Sequence, residues 1–260
     1  MRIGFSKKFP NREKLTWIRD AGFDYVEIAL KALAEATEED YAQFREDLRA
    51  VGLPCEAANQ LFPAGMTLCG HHVDLAAVEN YLQGAFQRAK EVGITIAVFG
   101  SGGARKAPPE TTVKLAEAQI FSLCRVAVEP LAKAYGITVV MEPLSDTNVL
   151  PTVASTAPFV EKLASPYILG LADTYHMGVN GENFGDVRLY RENAAHMHIA
   201  NPEGRVWPQK TDAADYGAFF AALKDIRYTG RLTVEANAIK TAEQLPALTA
   251  CAAFLREATR

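Results

Sequence analysis

Short apolar segments alternate with longer amphipathic segments along this whole chain. Eight of the short segments hold only three or four residues, too few for a buried helix, and they are rich in the β-branched and aromatic residues that favour strands. The eight predicted strands are Ile3–Phe5, Tyr25–Ile28, Cys55–Ala58, Ile96–Phe99, Thr138–Met141, Leu169–Ala172, His196–Ile199 and Leu232–Val234. Eight strand–helix units of about 32 residues predict one closed parallel (β/α)8 TIM barrel, an α/β single domain over residues 1–260.

The segments between the strands carry helix signals. Thr37 and Asp40 resemble a capping box, and Gly93 stands where a helix would end. Apolar residues at helical spacing predict three longer helices. The first stripe is Tyr41, Phe44, Leu48 and Val51, and the second is Leu75, Val78, Leu82, Ala85, Phe86 and Ala89. The third stripe is Leu115, Ile120, Leu123, Val126 and Leu131. The main rival is an open doubly wound sheet. It normally shows a glycine fingerprint after the first strand, and FSKKFPN has none.

Composition limits the class of protein and of partner. Apolar residues make up 49% and charged residues 22%, as in ordinary globular enzymes, and the net charge of -4 gives no reason to expect a nucleic acid partner. No apolar run approaches the ~20 residues that span a bilayer, and MRIGFSKKFPNREK lacks the apolar core of a secretory signal. The four cysteines form no CxxC pair and are expected to be reduced thiols. We expect a cytoplasmic protein with no membrane partner.

Chemically active side chains follow four consecutive predicted strands. Glu142 ends the fifth strand, Asp173 the sixth, His198 the seventh and Glu235 the eighth, with His176 one turn beyond the sixth. Active sites of such barrels lie at the C-terminal ends of the strands. Three carboxylates and one imidazole are therefore predicted to meet in one small volume.

Carboxylates gathered in this way repel one another unless a cation lies between them. Three oxygen ligands and one nitrogen ligand suit Mn²⁺, with Mg²⁺ or Co²⁺ as alternatives, better than thiolate-rich zinc chemistry. His196 and His198 share a strand face because side chains two residues apart point the same way. His198 lies nearer the rim and is the expected ligand, whereas His196 is expected to be a hydrogen-bonded core residue.

Three further candidates could contact substrate. Glu27 ends the second strand and Asn59 the third, so that each either reaches substrate oxygens or only orders a rim loop. Ser101–Arg105 reads SGGAR, which offers backbone N–H groups and the Arg105 cation to an acidic group, unless it is simply a solvated loop. The eighth loop, VEANAIKTAE, lacks the glycines of the usual barrel phosphate site, which favours an unphosphorylated substrate.

Several segments together resemble the xylose-isomerase-like TIM barrel superfamily of sugar phosphate isomerases and epimerases, which includes the ketose 3-epimerases. They are VFGSGGARKAPP, EPLSDTNVLPTVAST, LADTYHM, HMHIANPEGR and the terminal VEAN, in the family's order. The resemblance implies a metal held by Glu142, Asp173, His198 and Glu235, with Glu142 and Glu235 also serving as the acid–base pair. It implies that the histidine at His176 and an arginine after the seventh strand hold substrate hydroxyls.

This sequence departs from the family pattern at two positions. Arg205 is the nearest candidate for the arginine, and it stands one residue further along than the pattern places it. The ketose 3-epimerase pattern EPLNRxE has a second glutamate where EPLSDTN has Asn148. The second departure weakens the case for epimerisation of free ketoses specifically.

The predicted reaction is proton transfer next to a carbonyl, through an enediolate, in a sugar or keto-sugar. Return of the proton to the opposite face of the same carbon gives epimerisation. Its return to the neighbouring carbon gives isomerisation, as in hydroxypyruvate-type isomerases. Loss of a β-substituent gives inosose-type dehydration or cleavage of a 3-keto-glycoside, and a non-catalytic sugar-binding barrel is the rival outside enzymes.

A three-zinc DNA-repair nuclease needs extra histidines on the third and fourth strands that AANQ and VFGSGG lack. A homodimer or tetramer is common among relatives of this kind.

Overall fold

Eight parallel strands close into a barrel in sequence order, with the last strand paired to the first. The structure is a computed structural model that describes all residues from Met1 to Arg260. The strands are β1 (Arg2–Ser6), β2 (Tyr25–Ala29), β3 (Cys55–Asn59), β4 (Ile96–Phe99), β5 (Thr138–Met141), β6 (Ile168–Asp173), β7 (Ala194–Ile199) and β8 (Arg231–Val234). Each predicted strand lies within one of these, which confirms the (β/α)8 barrel.

Helices surround the barrel and return the chain to the start of the next strand. They are α1 (Arg12–Asp20), α2 (Leu30–Glu35), α3 (Glu38–Val51), α4 (Leu75–Val92), α5 (Gly102–Arg105), α6 (Val113–Leu123), α7 (Glu129–Tyr135), α8 (Val153–Leu163), α9 (Thr174–Val179), α10 (Tyr216–Asp225) and α11 (Leu245–Ala258). Short 3-10 segments occupy Phe184–Asn193 and Ala242–Gln244. None of these helices has the length and apolar character that crossing a bilayer requires.

Local signals fix several helix ends. The Thr37 hydroxyl accepts a hydrogen bond from the backbone N–H of Asp40 at 3.1 Å, as predicted for the start of α3. Gly93 ends α4 in the left-handed conformation, where glycine avoids the steric cost of a Cβ. A capping box between Thr152 and Ser155 begins α8, a helix for which the sequence analysis identified no apolar stripe.

The stripe predicted after the fourth strand is wrong in part. Leu115 and Val126 are 49% and 52% exposed. Val126 lies in a π-helical turn at Cys124–Val128 that separates α6 from α7. Hydrogen bonds of the i→i+5 kind widen that turn and rotate the following residues relative to a regular α-helix. The buried face is therefore formed by Ala116, Ile120, Leu123, Cys124, Ala127, Val128 and Ala132.

Inward-facing side chains fill the barrel in layers. The lower part is apolar, with Tyr25, Ala57, Ile96, Val98, Val140 and Leu171 packed together. Gly4 leaves room for the Tyr25 ring, since a Cβ at that position would overlap the ring atoms. The Tyr25 hydroxyl reaches up to the hydroxyl of Thr233 at 2.7 Å, where the polar layer begins. The apolar layer thus supports the polar one.

We predict that Gly4→Ala destabilises the protein by roughly 1–3 kcal/mol, the usual cost of overpacking a core. The matched control is Gly84→Ala on the exposed side of α4, where an added Cβ has no atom within 4 Å. That change should stabilise the protein by roughly 0.5–1 kcal/mol, because alanine is a better helix former than glycine. Urea unfolding of the three proteins measures both effects, and equal stability of Gly4→Ala and wild type would contradict the packing described here.

Candidate active site

The four side chains predicted at the strand ends converge at the C-terminal mouth of the barrel. Ligand atoms of Glu142, Asp173, His198 and Glu235 all lie within 4.8 Å of one another. His198 Nδ1 is 2.9 Å from Glu142 Oε1 and 3.3 Å from Glu235 Oε2. Asp173 and His198 are register partners on β6 and β7, which sets them at the same height. We refer to these four residues as the four-residue cluster.

The cluster fits a divalent cation. The Oδ2 atom of Asp173 is buried and has no hydrogen-bond partner. Burial, reinforced by the nearby carboxylates of Glu235 and Glu142, raises the pKa of Asp173 to about 6, although His176 and His198 oppose the shift. The nearest cation, the Arg205 guanidinium, is 3.6 Å from this oxygen and donates its hydrogen bond to Glu235 instead. A cation bound there would satisfy the orphaned oxygen and reduce the repulsion between the carboxylates.

Glu27 orients the histidine of the cluster from below. Its Oε1 atom lies 2.8 Å from His198 Nε2, while its Oε2 atom lies 2.8 Å from His196 Nε2 and accepts from the Thr233 hydroxyl at 2.7 Å. All four side chains are fully buried. When His198 donates its Nε2–H to Glu27, its Nδ1 atom is directed at the three carboxylates. A carboxylate–histidine pair of this kind fixes the ring orientation of metal-binding histidines.

The charges of this buried layer reinforce one another. Burial opposes ionisation of Glu27, yet His198 and His196 hold the pKa of that carboxyl well below its usual range. Burial likewise opposes protonation of His198, but the carboxylates of Glu27, Glu235 and Glu142 raise its pKa well above the ordinary value. A bound cation would take the place of the proton on Nδ1, because both are attracted by the same carboxylates.

The depth of Glu27 corrects one expectation and confirms another. Glu27 was expected at the rim in contact with substrate, but it lies one layer lower and does not line the cavity. The reason is that β2 continues to Ala29 before the chain turns into α2. His196, expected to be a hydrogen-bonded core residue, is fully buried and bonded to Glu27, which confirms that interpretation.

A cavity of about 250 Å³ opens above the cluster. Five of the predicted site residues line it, namely Asn59, Glu142, His176, Arg205 and Glu235, and only three of its 14 lining residues are apolar. Such a lining suits a ligand that is small and rich in hydrogen-bonding groups, since apolar ligands need mostly apolar walls.

Arg205 and Asn59 hold the Glu235 carboxylate from two sides. The Arg205 guanidinium donates to Glu235 Oε2 at 2.6 Å, and the Asn59 amide donates to Oε1 at 2.5 Å. The same guanidinium lies over the Tyr175 ring, 4.4 Å from its centre. Burial opposes the charge of Glu235, but His198 and Arg205 outweigh it and lower the pKa to about 2. This carboxylate is therefore ionised and fixed in orientation.

His176 presents an N–H group to the cavity. Its Nδ1 atom accepts from the backbone N–H of Ser145 at 3.2 Å and lies 2.9 Å from the Ser145 hydroxyl. A backbone N–H can only donate, so the neutral ring must carry its proton on Nε2. That nitrogen lies 3.8 Å from Asp173 Oδ2. His176 can therefore donate a hydrogen bond to an oxygen of a bound ligand.

Arg105 does not reach the cavity, which corrects the expectation that it binds an acidic substrate group. Its side chain is completely buried and donates to the backbone carbonyls of Glu142 and Phe99. Burial lowers its pKa to about 10. The α5 turn carries the side chain inward beneath the loop, while Ser101, Gly102 and Gly103 line the cavity. Arg105 thus helps to hold the backbone at Glu142.

Asn148, which replaces an acid of the related pattern, points to the loop and not to the cavity. Its Oδ1 atom accepts from the backbone N–H of Ala107 at 2.9 Å, and its Nδ2 atom donates to the Ala107 carbonyl at 3.3 Å. A carboxylate could only accept hydrogen bonds, so it could not satisfy both groups. The acid that faces the cavity is Asp146, two residues earlier.

Sequence reasoning missed Lys31, Gln60 and Asp146, all of which line the cavity. They follow β2, β3 and β5 by one to five residues, in loops where no motif of the sequence marks them. It also missed Gly100, where a Cβ would overlap the Glu142 carboxylate. The signal available for Gly100 was its position directly after the fourth strand, opposite the glutamate that ends the fifth.

Comparison with known proteins agrees with this architecture. Residues 15–258 match the family model described as the xylose isomerase-like TIM barrel. The chain is 29% identical over 222 residues to a ketose 3-epimerase of Arthrobacter globiformis, covering 84% of this chain and 74% of that protein. It is 24% identical over 250 residues to a 3-dehydro-D-guloside 4-epimerase of Escherichia coli K12, covering 90% and 92%.

Among solved structures, a D-psicose 3-epimerase crystallised in the presence of D-fructose superposes with a TM-score of 0.86. The match covers 100% of this chain and 99% of that one, at 18% identity. At this identity the superposition speaks for the fold alone.

We predict that His198→Ala lowers Mn²⁺ affinity by more than about tenfold, because it removes the only nitrogen of the cluster. His196→Ala should instead mainly reduce stability, by roughly 1–3 kcal/mol, since it leaves a buried carboxylate with one donor fewer. Titration calorimetry with Mn²⁺ and thermal unfolding separate the two effects. Wild-type metal content in His198→Ala after dialysis against a chelator would show that the ligand assignment is wrong.

Proposed function

This chain belongs to the xylose isomerase-like TIM barrel family, and on that premise we propose that it is a divalent-metal-dependent sugar epimerase. The reaction we propose is removal and return of a proton on a carbon next to a carbonyl, through an enediolate. The observation that carries the proposal is the four-residue cluster at the floor of a small polar cavity. The names of the relatives, which are epimerases of ketoses and of a 3-dehydro-glycoside, support the same reaction class.

Two carboxylates of the cluster can serve as base and acid. Glu142 follows β5 and Glu235 follows β8, so they reach the cavity from strands three apart in the barrel. A carbon held between them is open to one carboxylate on each face. Removal of a proton on one side and its return on the other inverts the stereocentre. His176 and Arg205 line the cavity and would donate hydrogen bonds to substrate oxygens, and Asn59 would orient Glu235.

Glu142, Asp173, His198 and Glu235 are the residues that would hold the metal. Bound there, a divalent cation would polarise a carbonyl and its neighbouring hydroxyl and so acidify the intervening C–H. Three oxygen ligands and one nitrogen ligand favour Mn²⁺, with Mg²⁺ or Co²⁺ as alternatives. A sugar or keto-sugar is the proposed substrate. Four further expectations stay predictions. They are the single-domain organisation over residues 1–260, a homodimer or tetramer, a cytoplasmic location and the absence of a nucleic acid partner.

We predict that Glu142→Gln and Glu235→Gln each lower kcat by on the order of 10²-fold or more, because an amide cannot take up a proton near neutral pH. Both variants keep the size and one oxygen of the original side chain. Steady-state kinetics, combined with calorimetric binding of Mn²⁺, separates loss of proton transfer from loss of metal. Turnover within a few-fold of wild type in either variant would exclude that residue from the proton-transfer step.

We also predict that substrate turned over in D₂O with enzyme and Mn²⁺ gains deuterium at one carbon. Proton transfer exposes the removed hydrogen to exchange, whereas a hydride shift carries it directly between carbons. A two-metal hydride shift is disfavoured because the second group of potential ligands, Glu27, His196 and His198, is occupied by mutual hydrogen bonds. NMR locates the deuterated carbon and also distinguishes an epimer from a dehydrated product. Full turnover without deuterium, with two metals per chain, would favour the hydride shift.

A further inference from the structure

Three polar side chains line the cavity yet make no hydrogen bond or ion pair within the chain. They are Lys31 at the start of α2, Gln60 directly after β3, and Asp146 in the loop after β5. In a closed barrel of eight strands, β2 and β3 lie across from β6 and β7. Lys31 and Gln60 therefore face the cavity from the side opposite His176 and Arg205. None of the three belongs to the four-residue cluster.

The backbone at Gln60 and at the neighbouring Ser101 is held in a conformation that is unfavourable for most side chains. Gln60 and Ser101 have φ values of +52° and +47°, in the left-handed region, and both line the cavity. The two loops are joined because the Ser101 hydroxyl accepts from the backbone N–H of Phe62 at 2.9 Å. Such conformations cost free energy and persist only where the surrounding structure enforces them. The backbone of Gln60 is thus fixed by its loop, while its exposed side chain is free to reach a ligand in the cavity.

The Asp146 carboxylate lies close to the backbone of Gly102 in α5. A Cβ on Gly102 would lie 2.9 Å from Asp146 Oδ1, so glycine at that position lets the carboxylate lie against the α5 turn. Asp146 can only accept hydrogen bonds, Lys31 can only donate them, and Gln60 can do both. Sugar hydroxyls both donate and accept, so they can satisfy all three side chains. A phosphate offers only acceptors and would confront the Asp146 carboxylate.

We propose that Lys31, Gln60 and Asp146 form a distal subsite that binds the hydroxyl groups of the substrate carbons furthest from the reacting carbonyl. This inference rests on the proposed function, because it assumes that a carbonyl and its neighbouring hydroxyl are held at the four-residue cluster. The remainder of the substrate must then extend across the cavity, whose volume of about 250 Å³ lies below the range for drug-sized ligands and suits a monosaccharide.

The subsite has a kinetic consequence that a solvated rim would not have. Binding energy from a part of the substrate that does not react can be used to orient the reacting end. Loss of the subsite should therefore reduce kcat/KM for a full-length sugar. It should leave unchanged the reaction of a fragment too short to reach the subsite. Dihydroxyacetone is such a fragment, since it consists only of a carbonyl and its two neighbouring hydroxymethyl groups.

The test compares Lys31→Met, Gln60→Ala and Asp146→Asn with wild type, using full-length chain loaded with Mn²⁺. The rate of deuterium incorporation in D₂O is measured for dihydroxyacetone and for D-fructose, D-tagatose and a methyl 3-dehydroglucoside. We expect each variant to lower kcat/KM at least fivefold for the best of the three sugars, with less than a twofold change for dihydroxyacetone. Lys224→Met at the exposed end of α10, on the opposite face of the barrel, is the matched control for Lys31→Met and should change neither rate.

The outcomes separate the subsite from the proposed function. Unchanged sugar kinetics in all three variants would overturn the subsite, and so would equal losses for sugar and fragment, which indicate a general disturbance of the site. A thermal unfolding measurement on each variant identifies any that does not fold. Asp146→Ser then replaces Asp146→Asn, and Lys31→Gln replaces Lys31→Met. No Mn²⁺-dependent exchange in wild type with any of the four compounds would instead refute the proposed function itself.

Discussion

The carboxylate of Glu27 is the group on which the arrangement of the side chains at the barrel mouth depends. It lies one layer below the cavity and connects three strands, because it meets both histidines of β7 and the threonine of β8. An isolated buried carboxylate would be costly, and here three hydrogen-bonded neighbours compensate that cost. In return, Glu27 determines which nitrogen of His198 faces the carboxylates above it. The apolar layer with Tyr25 supports this arrangement through the hydroxyl of Thr233.

Above Glu27, like charges are brought together instead of being kept apart. Glu142, Asp173 and Glu235 converge on one nitrogen, and one oxygen of Asp173 is left without a partner. Folding tolerates this because the barrel is held by its apolar layers and by the eight-strand ladder, and not by the rim. Arg205 partly balances the charge through Glu235. The unpartnered oxygen lies next to the cavity, so a cation could approach it from there and offset the remaining repulsion.

The sequence predicts the barrel and its rim well because both follow from simple periodicities. Side chains alternate along a strand, parallel strands end on one face, and the last inward residues of β5 to β8 must therefore meet. Depth within the barrel is harder to predict. Glu27 and His198 both lie near strand ends, yet one is a layer lower than the other because strand length and stagger differ between β2 and β7. Arg105 shows the same limit, since a four-residue helix turned it inward.

Other differences arise from local hydrogen bonding that no apolar pattern records. The π-helical turn at Cys124–Val128 rotates a helix face, and the stripe predicted across it fails at Val126 for that reason alone. Asn148 similarly satisfies both backbone groups of Ala107, a task that its acidic counterpart in related sequences could not perform. Asn148 thus serves the loop in this structure. The acid two residues earlier, Asp146, faces the cavity instead.

These features divide the mouth of the barrel into two halves with different physical characters. The half formed by β5 to β8 carries buried side chains at the strand ends. Glu27, Arg105 and Asn59 hold this half in place, and catalytic groups need such fixed positions. The half formed by the loops after β2 to β5 carries Lys31, Gln60 and Asp146, which have no partner in the chain. Loops on a rigid scaffold can change without disturbing the core, so the loop side chains can vary while the four-residue cluster persists. The same barrel can in this way support epimerases that act on different sugars.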